Sequence, residues 1–249
     1  MIKYKDKYLI HMEQKQLFFS IIIPAHNEEK YITETLTNIR DLDYPAERFE
    51  VFVIENGSND KTYEVAGKNK GQNIEVFSSP IKGVSSARNF GIRKIRRDSD
   101  WTIFLDADTL LKSGFLRDLN ISLQRHQDKN FVVGTTSLEP LPETKTAKRW
   151  FVFWDICHKL FKVSYSIQII KSSLLGNIKY DESLEMGEDL KIIKEARRFG
   201  KFFFFKTSDV HTSIRRFEQV GWWKIFFQWT IVANLPHFLQ KKAVYKVTR

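Results

Sequence analysis

The sequence predicts an α/β protein built on a parallel or mostly parallel sheet, and three observations carry that expectation. Short β-branched and aromatic runs recur at residues 19–23, 51–54, 74–77 and 101–105. Helix-patterned stretches separate them, and strands alternating with helices form βαβ units whose strands lie parallel. Most of the runs also lead into turn-forming or acidic residues, which in this topology would converge on one edge of the sheet.

Taken in order, residues 19–23 predict a strand stopped by Pro24, and residues 28–39 a helix with Ile32, Leu36 and Ile39 on one side. The second strand, 51–54, ends in the turn residues Glu55-Asn56-Gly57-Ser58-Asn59-Asp60. A helix over 62–68, a strand over 74–77 and a helix over 83–96 lead to the strand 101–105. The second half is less regular. It predicts a strand at 131–135, a loop at Leu138-Glu139-Pro140-Leu141-Pro142, and an aromatic helix over 148–163. A helix over 188–199 stopped by Gly200 and a strand over 202–205 follow, then an aromatic helix starting near Phe217 and broken before Pro236. No Gly-, Ser- or Pro-rich linker interrupts the chain. One domain over 1–216 is expected, with a regular half near 18–110, a less regular half near 111–216, and an extension over 217–249.

The 249 residues are 42% hydrophobic and 14% aromatic, enough to bury a substantial core and unlike a disordered chain. A net charge of +10 favours polyanionic partners, namely nucleic acid, an anionic membrane surface or phosphorylated small molecules. Cys157 is the one cysteine, so an intramolecular disulfide is excluded and a reducing compartment is expected. Residues 1–7 lead into no long apolar run, so a signal peptide is not expected. No stretch of about 20 residues is apolar enough to span a bilayer.

Leu105-Asp106-Ala107-Asp108 places two carboxylates one residue apart directly after a strand. Hard oxygen donors in that pattern suit Mg²⁺ or Mn²⁺, which leave their other positions to water and phosphate; acids in a turn after a strand are the ordinary alternative. Pro24-Ala25-His26-Asn27-Glu28 reads as a helix cap at Asn27, as a floor for a nucleoside with Glu28 near the ribose, or as both. A carboxylate at Glu55 can accept a base imide proton, and Gly57 admits close backbone approach. Exposed amides near Gly83 and the Arg88 guanidinium would favour a pyrophosphate, or Arg88 is a solvated surface residue. Glu188 and Asp189 suit the first turn of a helix; beside a nucleotide cleft Asp189 is also a candidate general base. His211 is a candidate third metal ligand, and Arg215 and Arg216 are candidates for phosphate contact.

In this order, the segments Ile22–Glu28, Ile54–Asp60, Ala87–Gly91, Leu105–Asp108 and Gly187–Leu190 resemble the family 2 glycosyltransferases over about residues 18–217. The resemblance implies a GT-A-type, Rossmann-like α/β/α sandwich and inverting transfer from a nucleotide-diphospho-sugar, UDP-sugars favoured, to a hydroxyl acceptor. It implies Mn²⁺ or Mg²⁺ at Asp108, with Asp106 contacting the ribose or a metal-bound water. Glu55 would meet the base with Pro24, Ala25, Asn27, Glu28, Asn56, Gly57 and Ala107 beside it. Arg88 would offset charge on the leaving nucleotide, and Asp189 would take the acceptor proton.

Three departures stand out. The base-contacting acid is Glu55 where the family usually has Asp, a methylene shorter. Leu175-Gly176-Asn177-Ile178-Lys179-Tyr180-Asp181-Glu182 has one glycine where the family usually has two. The Gln-x-x-Arg-Trp box of processive synthases is absent, and Ile214-Arg215-Arg216-Phe217 only partly echoes it.

The extension places Trp222, Trp223, Phe226 and Phe227 near one helical face, followed by Lys241, Lys242, Lys246 and Arg249. That pattern predicts an amphipathic helix in a membrane interface, a lipid-linked acceptor and a peripheral place at the cytoplasmic face; packing on the domain or a second subunit is the other reading. Two rivals have less support. A sugar nucleotidyltransferase would need a glycine-rich basic loop after the first strand, and a nucleic-acid- or lipid-binding module would not need the retained acids.

Overall fold

A computed structural model of the chain describes residues 15–184 and 186–234. The first half contains β1 (Phe19–Ala25), α1 (Ile32–Arg40), β2 (Phe49–Glu55), α2 (Thr62–Gly67), β3 (Ile74–Ser78), α3 (Val84–Ile92) and β4 (Trp101–Leu105). The second adds β5 (Thr109–Leu111), α4 (Phe115–Arg125), β6 (Phe131–Thr136), β7 (Glu139–Leu141), α5 (Lys145–Phe161) and β8 (Ile167–Lys171). It continues with α6 (Glu188–Ala196), β9 (Lys201–Phe205), β10 (Val210–Ser213), α7 (Arg215–Val220) and α8 (Trp222–Asn234).

A seven-stranded sheet runs in the order β3-β2-β1-β4-β8-β6-β9. β3, β2, β1 and β4 pair in parallel, β8 is antiparallel to both β4 and β6, and β6 pairs in parallel with β9. A small sheet, β5-β10-β7, stands apart from it. Both faces of β1 are buried, which is why its sequence is a continuous apolar run and does not alternate. Ile21 and Ile23 join the cluster containing Leu36 of α1 and Phe115 of α4, while Ile22 joins Ala87 of α3 and Ile192 of α6 on the opposite face. Gly91 lets α3 approach that second face, since a Cβ there would lie 2.5 Å from Cγ2 of Ile22.

The structure departs from the sequence expectation at several places. β1 continues through Pro24 to Ala25. Its pairing with β4 ends at Ile22, so the missing N–H of Pro24 falls where only β2 remains alongside. The first helix begins at Ile32, not residue 28, after a turn in which Glu28 O accepts from the N–H groups of Tyr31 and Ile32. Residues 139–141 form a strand, not a loop, because β10 supplies a parallel partner. α4, β5, β8 and β10 were not expected; the last three are short strands that pairing defines. The aromatic extension splits into α7 and α8 at Gly221, whose φ of 98° no helix continues through. The break before Pro236, the basic residues Lys241, Lys242, Lys246 and Arg249, and residues 1–7 lie outside the described residues.

Candidate active site

The loops after β1, β2 and β4 meet at one sheet edge, as the topology demands. Asn27 adopts a left-handed conformation with φ 57°, which asparagine tolerates better than most residues. Its Oδ1 accepts the Asn59 N–H at 2.8 Å and its N–H donates to Ser58 Oγ at 3.0 Å, so it ties two loops together and does not cap a helix. Asn56 is buried; its Nδ2 donates to Ala25 O and its Oδ1 accepts the Gly83 N–H. Gly57 takes φ 77° to turn the chain beside it. Glu55 is buried at the foot of this turn, with its carboxylate accepting the Ser58 N–H at 2.5 Å and the Ser78 hydroxyl at 2.9 Å. Its partners are loop atoms, at the position where the sequence suggested a base contact.

Asp106 and Asp108 follow β4. The Asp106 N–H donates to Ser166 O at 2.9 Å, and Thr35 Oγ1 donates to Ala107 O at 2.7 Å, which pins the turn from both sides. Arg88 is 5% exposed on α3 and faces three acids. Its guanidinium lies 2.7 Å from Asp189 Oδ1, 3.1 Å from Glu188 Oε1 and 3.6 Å from Asp106 Oδ1, with the Tyr180 ring 5.0 Å beneath it. Arg215 makes the matching bridge on the other flank. It reaches Glu28 Oε1 at 2.9 Å and Asp108 Oδ2 at 3.0 Å, over the Tyr31 ring.

These two arginines have carboxylates as their partners. Arg88 faces carboxylates where the sequence suggested a diphosphate, because α6 starts opposite α3 and delivers Glu188 and Asp189 to it. Glu28 is buried and engaged by Arg215 where a ribose contact was expected. Arg216 lies with its guanidinium 5.6 Å from the Trp229 ring. His211 is not brought to the Asp106–Asp108 pair. Side chains alternate along β10, and it is Thr212 that meets Thr109 at 2.9 Å and Ser166 at 3.0 Å, while His211 contacts Ser208 O at 3.0 Å.

Glu188 is buried, and burial reinforced by the adjacent Asp189 charge pushes its carboxyl above the usual carboxylate range. A cavity of about 280 Å³ opens beside Asp108, lined by Tyr31, Thr35, Leu141, Ser213 and Arg215 among others. Among the described residues no three His, Cys, Asp or Glu side chains form a group that could hold a metal. The two hard carboxylates of Asp106 and Asp108 fit Mg²⁺ or Mn²⁺ chemically, provided phosphate oxygens and water complete the shell.

Three residues that matter here were not singled out from sequence: Ser166, Tyr180 and Asn89. Asn89 holds the segment before α6, donating to Tyr180 O at 2.9 Å and to Glu182 Oε1 at 2.8 Å. Its signal was available, since asparagine in a helix interior is disfavoured unless it bonds elsewhere.

A family model described as "Glycosyl transferase family 2" matches residues 20–171, more than half of the chain. The chain belongs to glycosyl transferase family 2. Within that family it is 27% identical over 213 residues to the minor teichoic acid biosynthesis protein GgaB of Bacillus subtilis, covering 79% of this chain and 23% of GgaB. It is 30% identical over 111 residues to the poly(ribitol-phosphate) beta-N-acetylglucosaminyltransferase TarS of Staphylococcus aureus, covering 43% of this chain and 19% of TarS. The chain therefore spans about a quarter or less of these relatives' lengths. Its fold matches the crystal structure of S. aureus TarS 1-349 in complex with UDP-GlcNAc, with a TM-score of 0.65 and 21% identity over 80% of this chain and 59% of that one. It also matches the mannosyltransferase PcManGT of Pyrobaculum calidifontis in complex with GDP-Man and Mn2+, with a TM-score of 0.63 and 17% identity over 96% and 68%. The mixed sheet flanked by helices is thus the GT-A fold that the resemblance implied. Among the described residues no helix is long and apolar enough to cross a membrane.

Proposed function

We propose that this family 2 member transfers a sugar, with inversion, from a nucleotide diphosphate donor to a hydroxyl of an envelope glycan intermediate, which is lipid-linked and presented at the cytoplasmic membrane face. The observation that carries the catalytic reading is the Arg88 guanidinium, which touches Asp106 on the donor side and Asp189 on the acceptor side. The two chemistries that transfer needs are therefore one side chain apart. A UDP-sugar is the favoured donor. The TarS complex with UDP-GlcNAc supports that choice, and a buried Glu55 at the turn after β2 is in keeping with a base contact there.

Asp189 accepts the proton of the acceptor hydroxyl as its oxygen attacks the anomeric carbon, and the bond from that carbon to the diphosphate breaks as the new one forms. Asp106 and Asp108 would hold Mn²⁺ or Mg²⁺, and the Mn2+ complex of PcManGT supports such a cation. A bound cation supplies charge compensation for the departing nucleoside diphosphate. Arg88 keeps Asp189 aimed, so its part is positioning, not phosphate binding. Arg215 and Glu28 hold the outer side of Asp108.

A panel of nucleotide sugars with Mn²⁺ or Mg²⁺, read by calorimetry and by slow donor hydrolysis, tests this. Asp189→Asn should keep donor binding and lose transfer by roughly 10²–10⁴-fold; undiminished transfer would remove Asp189 as the base. Asp108→Ala should abolish the metal-dependent part of donor binding, and retention of that part would place the cation elsewhere.

A further inference from the structure

Among the described residues, eight of the eleven exposed large apolar side chains lie on just two helices, α5 and α8. Val152, Ile156 and Leu160 form an i, i+4, i+8 stripe on α5, and Trp223, Phe227 and Ile231 form the same stripe on α8. The helices run side by side. Trp150 meets Trp223 at 4.8 Å and Phe153 meets Phe226 at 5.5 Å, so the stripes merge into one face. The inner sides are already used: Phe151 and His158 of α5 and Ile225 of α8 are buried, and Trp222 and Phe226 pack inward. Trp222 and Phe226 thus leave the outer face that the sequence assigned them. A helix apolar on both sides needs a second apolar environment.

We propose that this composite α5/α8 face docks the protein on the surface of an anionic bilayer. Charge selects that occupant. Residues 145–162 and 222–234 contain six Lys or Arg and one acid, Asp155, which is half-buried and accepts the Leu138 N–H. A second copy of the chain applied across a two-fold axis would bring this basic face against itself. Residues 235–249 carry four further Lys or Arg and no acid, so they offer it no neutralising charge either. Lysines that reach past an apolar stripe to phosphate headgroups, with Trp at the boundary, are what an interfacial surface requires. The face also adjoins the active site. Trp222 stacks on Phe217 at 4.7 Å, Phe217 meets Tyr165 at 5.8 Å, and the next residue, Ser166, accepts the Asp106 N–H. This deepens the membrane-side reading of the acceptor given above, but the binding it claims is measured without any acceptor.

The test is co-sedimentation of the full chain with vesicles of phosphatidylcholine alone or mixed with phosphatidylglycerol, at low and high salt. The protein should bind the anionic vesicles, weaken with salt, and leave the neutral ones in solution. Leu160→Asp and Phe227→Asp should each cut partitioning at least about tenfold, because each puts a charge into the apolar contact. Phe199→Asp, at an exposed apolar residue elsewhere, should not change it. Calorimetry with UDP should give the same donor affinity for all three variants, which separates lost docking from lost folding. Lys159→Glu with Lys224→Glu should weaken binding without touching the apolar stripe. Failure of wild-type protein to bind anionic vesicles overturns the proposal, as does wild-type binding by Leu160→Asp. A dimer that Leu160→Asp dissolves, in protein that ignores vesicles, assigns the face to a second copy instead. Vesicle binding without any sugar transfer would count against the catalytic reading alone.

Discussion

The donor flank of the cleft and the seam between its two flanks are held together by different physics. On the donor flank, loops are fixed by hydrogen bonds to backbone, some neutral, as from Asn56 to Ala25 O and Gly83 N–H, Asn27 to Asn59 N–H and Thr62 to Glu28 N–H, and some accepted by the carboxylates of Glu55 and Asp60. Between the flanks the contacts are ionic, with Arg88 reaching Asp106, Glu188 and Asp189 and Arg215 reaching Glu28 and Asp108. Neutral ties set a shape that pH and salt leave alone. Buried ionic ties depend on the arginine, and removing it strands the acids it faced.

That contrast is open to direct attack. The largest effect should come from Arg88→Met, which leaves Glu188, Asp189 and Asp106 crowded without their cation. Denaturant unfolding should show a loss of about 3–5 kcal/mol. A loss below about 1 kcal/mol would mean that Arg88 does not hold this seam together.

Next in size is a pH effect from His158 on α5, which burial holds neutral down to about 4 against an ordinary value of 6.5. The unfolded chain takes up this proton as pH falls below 6.5 and the folded chain does not, so stability is full above that pH and declines toward 4. The difference is worth about 3 kcal/mol. His158→Leu, similar in volume, should flatten the stability profile between pH 6.5 and 4; an unchanged slope would show that His158 protonates freely in the fold.

The smallest effect should come from the neutral ties. Asn56→Ala removes the acceptor of the Gly83 N–H and one of the two donors to Ala25 O, and should cost about 1–3 kcal/mol, with little dependence on pH or salt between pH 5 and 8. A strong salt dependence would erase the distinction between flank and seam.

Much of the donor flank was legible from residue pattern. The strand Trp101–Leu105 has the expected bounds, and Asn27, Glu55, Asn56 and Asp106 stand at one sheet edge as βαβ alternation requires. What escaped were elements whose identity depends on a partner. β8 is an apolar run whose antiparallel placement between β4 and β6 has no local signature, and β7 is two residues and a proline until β10 lies beside it. The side-chain partners escaped for the same reason. Nothing within Ala87-Arg88-Asn89 says that a helix start a hundred residues later will occupy the guanidinium, and nothing in Val210–Ser213 says which side of the strand faces the acids.

Residue order and type alone were enough to specify the fold class, the family's motif series and the two carboxylates after β4, because these follow from short-range periodicity and from the chemistry of single side chains. Tertiary packing alone decided that Arg88 and Arg215 face acids, that His211 stands apart, and that α5 and α8 share an uncovered apolar face. Each of those outcomes depends on which distant surface arrives at a given side chain, and burial makes that arrival, more than the residue's own preference, govern its charge and its contacts.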